Sequence, residues 1–551
     1  AASRKTHSDM TAVEGLLSMA VLKDKCLPQT THQRIEHIHE SLLFYDEHTF
    51  GASESVSDPL CENSQVQWGE KSAYAWEAVK RTQMLYETSV GLLQGDLRRG
   101  KNPTLTIFNT LNWKRSEMLT VYIDFEVIPR NQFFEITDFQ GHSLKVQPIR
   151  YRREGCYYAI FAEDIPPMGY KTFEIVFKQP STDTGTVTIN NASIENHFYK
   201  LQLNPDKGTI QSLYDKELNC ELVDSSSPWE LGAFIYEKLG NRDQLAQYRL
   251  DDYNRTGLSE CRIIDSSNGP IYQRILLQGK SPGTDEAFGV NLEIKLYHDT
   301  KRIELEYAIK RLPETEPSGI YVAFPFQLPE GKLAFDVQGG TVISGKNQLE
   351  GTSTDWNTVQ NFVSVQNNRA QIIIGSSLIP LYQLGDINLG KFQYQKQYER
   401  PHVYSWVMNN YWNTNFKASQ EGEFRWSYHL TSSVAPSNNL ATKFGWSSRI
   451  PLYTRVMPTG TENHKPTEYS AFHFEKDNFL MTSCTPSKEE GYILLNIREI
   501  DGKRTNLRIL NEDGQTVPFT IVNAIEEKLE NETSEHIFEG YQNKFIKIKR
   551  F

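Results

Sequence analysis

Basic residues are too few, relative to acidic ones, to make a nucleic-acid surface. There are 58 Lys and Arg against 69 Asp and Glu, giving a formal charge of -11 and a pI near 5.7, and no local run of Lys and Arg reverses that balance. A nucleic-acid binder needs a basic face to neutralise phosphates, so nucleic acid is excluded as a partner. Long apolar runs are missing too. No stretch approaches the ~20 residues that span a bilayer, which predicts a soluble chain with no membrane partner. Cysteine spacing is uninformative: Cys26, Cys61, Cys156, Cys220, Cys261 and Cys484 are scattered with no C-x-x-C pair, which argues against a cysteine zinc site and leaves the redox compartment open. Three N-x-S/T sequons, at Asn191, Asn254 and Asn531, are about what chance gives and receive no role. There is no signal peptide and no starting methionine, and Ala1-Ala2-Ser3-Arg4-Lys5 runs almost directly into a helical pattern. That beginning is read as a truncation, and it leaves localisation and oligomeric state unread.

What is present is length and aromatic content. A chain of 551 residues exceeds one core and predicts roughly three or four domains. The 27 Tyr, 28 Phe and 9 Trp suit large β-sandwich cores or sugar-stacking surfaces. Residues 1–100 read as a three-helix bundle. Met10, Val13, Leu16, Leu17 and Ala20 recur at helical spacing behind Ser8 as N-cap, until Pro28. Ile35, Ile38, Leu42 and Tyr45 mark a second helix from Thr31, and Trp76, Val79, Tyr86, Val90 and Leu93 a third from about Gln65. Beyond Gly95 and Gly100 the period falls to two. Residues 101–182 predict a small β-sandwich, closed by a Ser, Thr, Asp and Gly linker from Pro180 to Thr186. Residues 187–450 carry strand after strand with hardly a helical stripe, so a large double-layered sandwich is expected. Residues 451–551 suit a further small β-domain. The predicted fold class is mainly β with an N-terminal α-domain.

Two clusters carry candidate chemistry. Asp46-Glu47-His48 ends the second helical stripe, just before Thr49-Phe50-Gly51-Ala52. Imidazole is the commonest zinc ligand, and neighbouring carboxylates serve as further ligands, orienting groups or hydroxyl-binding groups. Paired carboxylates also serve glycosidic acid and base chemistry, but adjacent side chains on a helix diverge by ~100°. A solvated polar helix end is the bland alternative. The second cluster, Met408-Asn409-Asn410-Tyr411-Trp412-Asn413-Thr414-Asn415-Phe416, interleaves amides that bond hydroxyls in both directions with rings that stack on pyranoses. Its alternative is a turn-rich loop stabilised by asparagine's own backbone bonding. Asp336-Val337-Gln338-Gly339-Gly340 with Asp355-Trp356 reads as hairpin turns.

The order of these features resembles the part of glycoside hydrolase family 38 α-mannosidases that follows their catalytic barrel. The likeness is carried by Ala2-Ser3-Arg4-Lys5, Asp46-Glu47-His48-Thr49-Phe50-Gly51-Ala52 and Phe108-Asn109-Thr110-Leu111-Asn112-Trp113. Ile165-Pro166-Pro167-Met168-Gly169-Tyr170, Gly208-Thr209-Ile210-Gln211-Ser212-Leu213-Tyr214-Asp215 and the 408–416 cluster complete it. The resemblance implies a galactose-mutarotase-like supersandwich at 187–450 and a retaining, zinc-dependent α-mannosidase. His48 looks like the bundle histidine that ligates the zinc, which would grip two adjacent sugar hydroxyls and help distort the ring. Asp46, Glu47, Asn409, Asn410, Tyr411, Trp412 and Asn413 are the expected contacts to an α-mannoside. The family's commoner His-His-Asp motif departs here, since Thr49 follows the histidine and the acids precede it. Nothing resembles the barrel: no alternating strand and helix units and no H-x-D pair occur. The nucleophile, the general acid and the other zinc ligands are therefore expected on a missing domain, the partner this chain would need, and the chain alone is expected to be inactive. The rival readings are a self-standing carbohydrate-binding or scaffold protein, and another carbohydrate-active enzyme sharing the supersandwich, such as a lyase or phosphorylase.

Overall fold

The computed structural model describes residues 1–51, 54–179, 192–412 and 417–551. The linker from Pro180 to Thr186, the Asn191 sequon, Ala52 and residues 413–416, Asn413 among them, lie outside the described residues.

Helices come first: α1 (Ala2–Leu22), α2 (Thr31–Asp46), the single turn α3 (Glu54–Ser57) and α4 (Glu62–Leu93). α1 begins well before the expected cap. Ser8 sits inside it, buried, and its hydroxyl donates back to the Arg4 carbonyl at 3.3 Å, the bond a mid-helix serine makes in place of capping. α2 buries Ile35, Ile38 and Leu42, as its stripe predicts. α4 buries Val90 and Leu93 as expected, but Trp76 is 64% exposed, and the buried positions before them are Ser64, Trp68, Lys71, Ala75, Ala78, Thr82, Leu85 and Ser89. These recur at alternating spacings of three and four, a regular helical stripe. Because Trp68 and Leu85 are its only large apolar members, the rest being small or polar, hydrophobicity alone does not reveal it. Among the described residues, no helix is long and apolar enough to cross a membrane.

The rest is antiparallel β-structure, and the chain divides into two compact units, one of residues 1–44, 74–185 and 450–551 and one of residues 45–73 and 186–449. In the first unit, the strands of residues 104–178 form a sheet extended by Tyr453–Met457 and Glu468–Ser470. Its core includes Leu105, Ile107, Ile136, Ile160, Phe173 and Ile175. In the same unit Leu16, Met19 and Ala20 of α1 pack with Phe472, Phe479, Met481 and Leu495. Asn112 ties this arrangement together, donating to the Phe479 carbonyl (2.8 Å) and accepting from the Met481 amide (2.9 Å).

The second unit takes in residues 45–73 and contains the large sandwich. A six-stranded sheet runs in the order Tyr253–Thr256, Phe234–Leu239, Ser318–Phe324, Val403–Asn409, Leu381–Leu384, Asn357–Thr358, and a nine-stranded sheet is built around Ile303–Arg311 and Gly422–Ser433. Between them lies a core that includes Phe234, Tyr236, Ile320, Val322, Phe324, Leu305 and Tyr428. Alternation along the strands sends Ile235, Tyr321, Ala323, Tyr404 and Trp406 to the other face of the six-stranded sheet, where they form a second cluster with Tyr411. That second face carries the candidate site.

Candidate functional site

Residues 45–51 form a folded turn rather than a loose helix end. The rings of Tyr45 and Phe50 meet edge to face at 5.8 Å. Between them Glu47 is held from two sides: Oε1 accepts from the Thr49 amide (3.0 Å) and hydroxyl (2.7 Å), and Oε2 accepts from Lys71 Nζ at 3.0 Å. Lys71 also donates to the Glu47 carbonyl at 2.9 Å. The Thr49 hydroxyl and the Lys71 ammonium hold the Glu47 carboxyl down to about 2, so it is a carboxylate at any working pH. His48 Nδ1 lies 2.9 Å from Glu47 Oε1, with the imidazole 82% exposed. An exposed imidazole is the commonest kind of zinc ligand. The donor set therefore fits one ligand of a metal site and no more. Among the described residues, no group of three or more His, Cys, Asp or Glu side chains is placed to hold an ion. Asp46 is exposed at the end of α2. Glu47, expected to touch sugar, has both oxygens already engaged and acts on its neighbours instead.

The second cluster follows the strand Val403–Asn409. That strand pairs Tyr321 with Trp406 but Ile320 with Met408, so Val407 is an extra residue in the ladder. A one-residue bulge shifts the alternation. Met408 then packs against the sandwich core, while Asn409 pairs with Gly319 on the face shared by Tyr321, Trp406 and Tyr411. A Cβ at Gly319 would stand 2.1 Å from the Tyr411 hydroxyl, so glycine is what lets Tyr411 lie flat there. Asn409 is exposed and borders a cavity of ≈ 260 Å³ lined by Arg311, Glu314, Ser318, Asn410 and Gln420 among others.

Two of the expected sugar contacts are corrected by this geometry. Tyr411 is fully buried, so its ring has no face to offer a pyranose. Its hydroxyl donates to Glu237 Oε1 at 2.5 Å and lies 3.4 Å from the Tyr321 hydroxyl, which is 3.3 Å from the same carboxylate oxygen. Burial pushes both phenols well above their ordinary pKa. Asn410 is spent on the backbone: Oδ1 accepts from the Ser318 amide (2.7 Å), and Nδ2 donates to the carbonyls of Glu314 (2.9 Å) and Ala418 (3.3 Å). Asn410 latches the loop, and Tyr411 anchors it. What faces outward is Trp412, 38% exposed, with one side supported by Trp356 (5.6 Å), Tyr411 (6.0 Å) and Trp406 (6.1 Å). A rigidly backed, half-open indole is the form a stacking platform takes.

The two clusters lie in the same compact unit, and Lys417 Nζ sits 5.0 Å from the centre of the Trp68 ring, joining the segment after Trp412 to α4. Sequence reasoning missed Lys71, Trp68, Glu237 and Gly319. None stands in a motif, and their roles emerge only from strand register and from the α4 stripe.

Comparison with known proteins adds three findings. A family model described as the glycosyl hydrolases family 38 C-terminal domain matches residues 194–392, and one described as the alpha mannosidase middle domain matches residues 1–93. No curated protein matches the sequence. Among solved structures, an alpha-mannosidase from Enterococcus faecalis V583 is 13% identical with a TM-score of 0.75, the match covering 99% of this chain and 66% of that one. A protein in the glycosyl hydrolase family 38 from Enterococcus faecalis is 13% identical with a TM-score of 0.72, covering 100% and 71%. A galactose mutarotase-like protein from Lactobacillus casei ATCC 334 is 13% identical with a TM-score of 0.27, covering 45% of this chain and 100% of that one.

Proposed function

The chain belongs to glycoside hydrolase family 38, and from that premise we propose that residues 45–51 and 409–412 form one wall of an α-mannoside site. His48 is the ligand this wall offers to a zinc ion, and Asp46 beside it, Asn409 and Trp412 contact the sugar. Bound there, zinc would supply Lewis-acid polarisation of adjacent hydroxyls in a double displacement that retains anomeric configuration. The chain's own residues orient and shield. Trp412 stacks on the ring, Asn409 bonds a hydroxyl, and Glu47 sets a carboxylate beside the imidazole. The nucleophile, the general acid and the other zinc ligands come from a catalytic domain outside the 551 residues. The observation that carries this reading is that the histidine turn and the Asn and Trp loop belong to one compact unit, in which Lys417 Nζ lies 5.0 Å from the centre of the Trp68 ring.

The test is intrinsic fluorescence of the chain titrated with methyl α-D-mannoside. A saturable response is expected in the roughly millimolar range, about -4 kcal/mol, as befits part of a site. Trp412→Ala abolishes it, and Asn409→Ala weakens it roughly five- to tenfold, the worth of one hydrogen bond. A wild-type chain with no saturable response, or a Trp412→Ala variant of unchanged affinity, refutes the wall. A separate expectation concerns catalysis. With one proposed zinc ligand and the acid and nucleophile supplied by another domain, the purified chain turns over no aryl α-mannoside, with or without added zinc, in a chromogenic assay. Measurable turnover that survives repurification would overturn the division of labour.

A further inference from the structure

We propose that the outer face of the nine-stranded sheet carries a second saccharide site, which holds a neutral pyranose between Phe288 and the pair Glu306 and Arg425. Asn409 and Trp412 follow from the six-stranded sheet and take no part in it.

Four neighbouring strands make this face: Tyr272–Lys280, Val290–Tyr297, Ile303–Arg311 and Gly422–Ser433. Alternation sends Ile275, Leu277, Leu292, Leu305 and Tyr428 into the sandwich core, so the residues between them point outward. Register then lines up two rows across the outer side. One is Leu276, Glu293, Glu306 and Ser427, and the next is Gln278, Asn291, Ala308 and Arg425. Leu276 and Ala308 interrupt rows that are otherwise polar, and the short Ala308 side chain leaves room beside its longer neighbours. The result is a cavity of ≈ 480 Å³, within the usual size of small-molecule sites.

Phe288 lines this cavity on a braced turn. Asn291 Nδ2 and Gln278 Nε2 both donate to the Phe288 carbonyl, at 2.9 and 3.1 Å, and the Phe288 amide donates to Asp285 Oδ1 at 2.9 Å. The Gly289 amide donates to the Asp285 carbonyl at 2.8 Å. A backbone tied from both sides fixes an aromatic residue before any ligand arrives, which spares the ordering cost of stacking on a sugar.

The charged groups divide into those already spent and those still open. Arg274 donates to Glu293 and Asp265. Glu293 and Glu306 stand directly opposite on adjacent strands, a like-charge pair that is unfavourable by itself. Lys295, 11% exposed, offsets it by lying 3.1 Å from Glu293 and 3.4 Å from Glu306. Glu306 Oε1 and the Arg425 guanidinium are open. They are 3.7 Å apart, beyond hydrogen-bond distance, with Arg425 63% exposed, and among the described residues neither has a hydrogen bond. A sugar hydroxyl fits that gap, accepting from the guanidinium and donating to the carboxylate. Along the lining Arg274 and Arg425 balance Glu293 and Glu306, so neither an anion nor a cation gains by entering. A neutral polyhydroxylated ring uses both kinds of group.

The test uses the 551-residue chain carrying Trp412→Ala, so that success or failure of the Trp412 wall does not enter the measurement. Saturation-transfer difference NMR with methyl α-D-mannoside, methyl α-D-glucoside and methyl β-D-galactoside probes three neutral pyranoses. At least one should give a saturable signal in the roughly millimolar range. Arg425→Met and Phe288→Ala should each weaken it roughly five- to tenfold, the worth of one hydrogen bond or one aromatic contact, and Ala308→Phe, which fills the floor, should abolish it. Circular dichroism confirms the fold of each variant, and should Ala308→Phe disturb it, the exposed Arg425→Met change still decides. No saturable signal from any of the three sugars, or an affinity unmoved by both Arg425→Met and Phe288→Ala, overturns the proposal. Methyl α-D-glucuronide binding about ten times more tightly than the neutral sugars would overturn the assignment to a neutral ligand.

Discussion

Replacing Glu237 by alanine should lower the stability of the sandwich unit by about 3–5 kcal/mol, the loss typical of breaking a buried ion pair from one side. Glu237 is fully buried on the second face of the six-stranded sheet. Arg255 Nε donates to Oε2 at 2.5 Å, and the hydroxyls of Tyr411 and Tyr321 donate to Oε1. Without the carboxylate, Arg255 becomes an uncompensated charge whose Nη2 already has no hydrogen-bond partner among the described residues, and two buried hydroxyls lose their acceptor. The measurement is urea unfolding followed by tryptophan fluorescence, read on the transition that reports Trp406 and Trp412, since a chain of two units need not unfold in one step. Tyr411→Phe, which keeps the ring and removes one bond, should cost only about 1 kcal/mol. Glu237→Leu combined with Arg255→Met should be milder than Glu237→Ala, because removing both charges ends the desolvation cost that a lone cation bears. If Glu237→Ala costs under about 1 kcal/mol, the carboxylate is not what holds Tyr411, and the support beneath Asn409 and Trp412 lies elsewhere.

That network also explains how much of the site the sequence could reveal. The cluster at 408–412 is visible as composition, because Asn, Tyr and Trp crowd together. Its division of labour is not visible, because it is set by a partner some 170 positions away and by one extra residue at Val407, whose effect on side-chain direction exists only within a ladder. Tyr411 and Trp412 read alike in sequence, yet one is core and the other platform. The same holds at the helical end. His48 and its acids are conspicuous, and the resemblance to the family gives them a role, but Lys71 lies 24 residues on among residues that look solvated. The α2 stripe was legible because Ile35, Ile38 and Leu42 are apolar. In α4 only the end at Val90 and Leu93 was legible in that way, since Ser64, Ala75, Ala78, Thr82 and Ser89 are buried for their small volume, and Lys71 for its partner. Large residues advertise a face, whereas small ones permit close packing without announcing it.

Lys396 presents the opposite case, a buried charge whose removal should stabilise the fold. It is 8% exposed, and among the described residues no acceptor lies within hydrogen-bond distance of its ammonium, which stands 5.6 Å from the centre of the Tyr398 ring. Burial pushes it down to about 8, against weaker opposing pulls from Asp355 and Asp386. Asp355 is buried too, with its carboxyl pushed up by burial and Oδ1 without a hydrogen-bond partner among the described residues, although Oδ2 accepts from the Gly390 amide at 3.3 Å. Below pH 8 the lysine is charged in both folded and unfolded chains, and the folded state bears the full cost of keeping that charge from water. Between pH 8 and the unfolded value near 10.4 the folded chain sheds the proton first, so the unfolded state binds more protons and stability rises with pH. Lys396→Met should therefore raise stability at pH 7 by up to roughly 3 kcal/mol, less whatever solvent screening has already relieved, and should flatten the rise between pH 8 and 10.4. Asp355 limits the gain, because it loses its nearest cation, so the double change Lys396→Met with Asp355→Asn should exceed the single one. Urea unfolding at pH 7 and pH 10 in the three proteins separates these terms. A Lys396→Met variant less stable than wild type at both pH values would mean that the ammonium is satisfied in solution by water or by a bound anion, and that the loops around residues 355 and 396 depend on its charge.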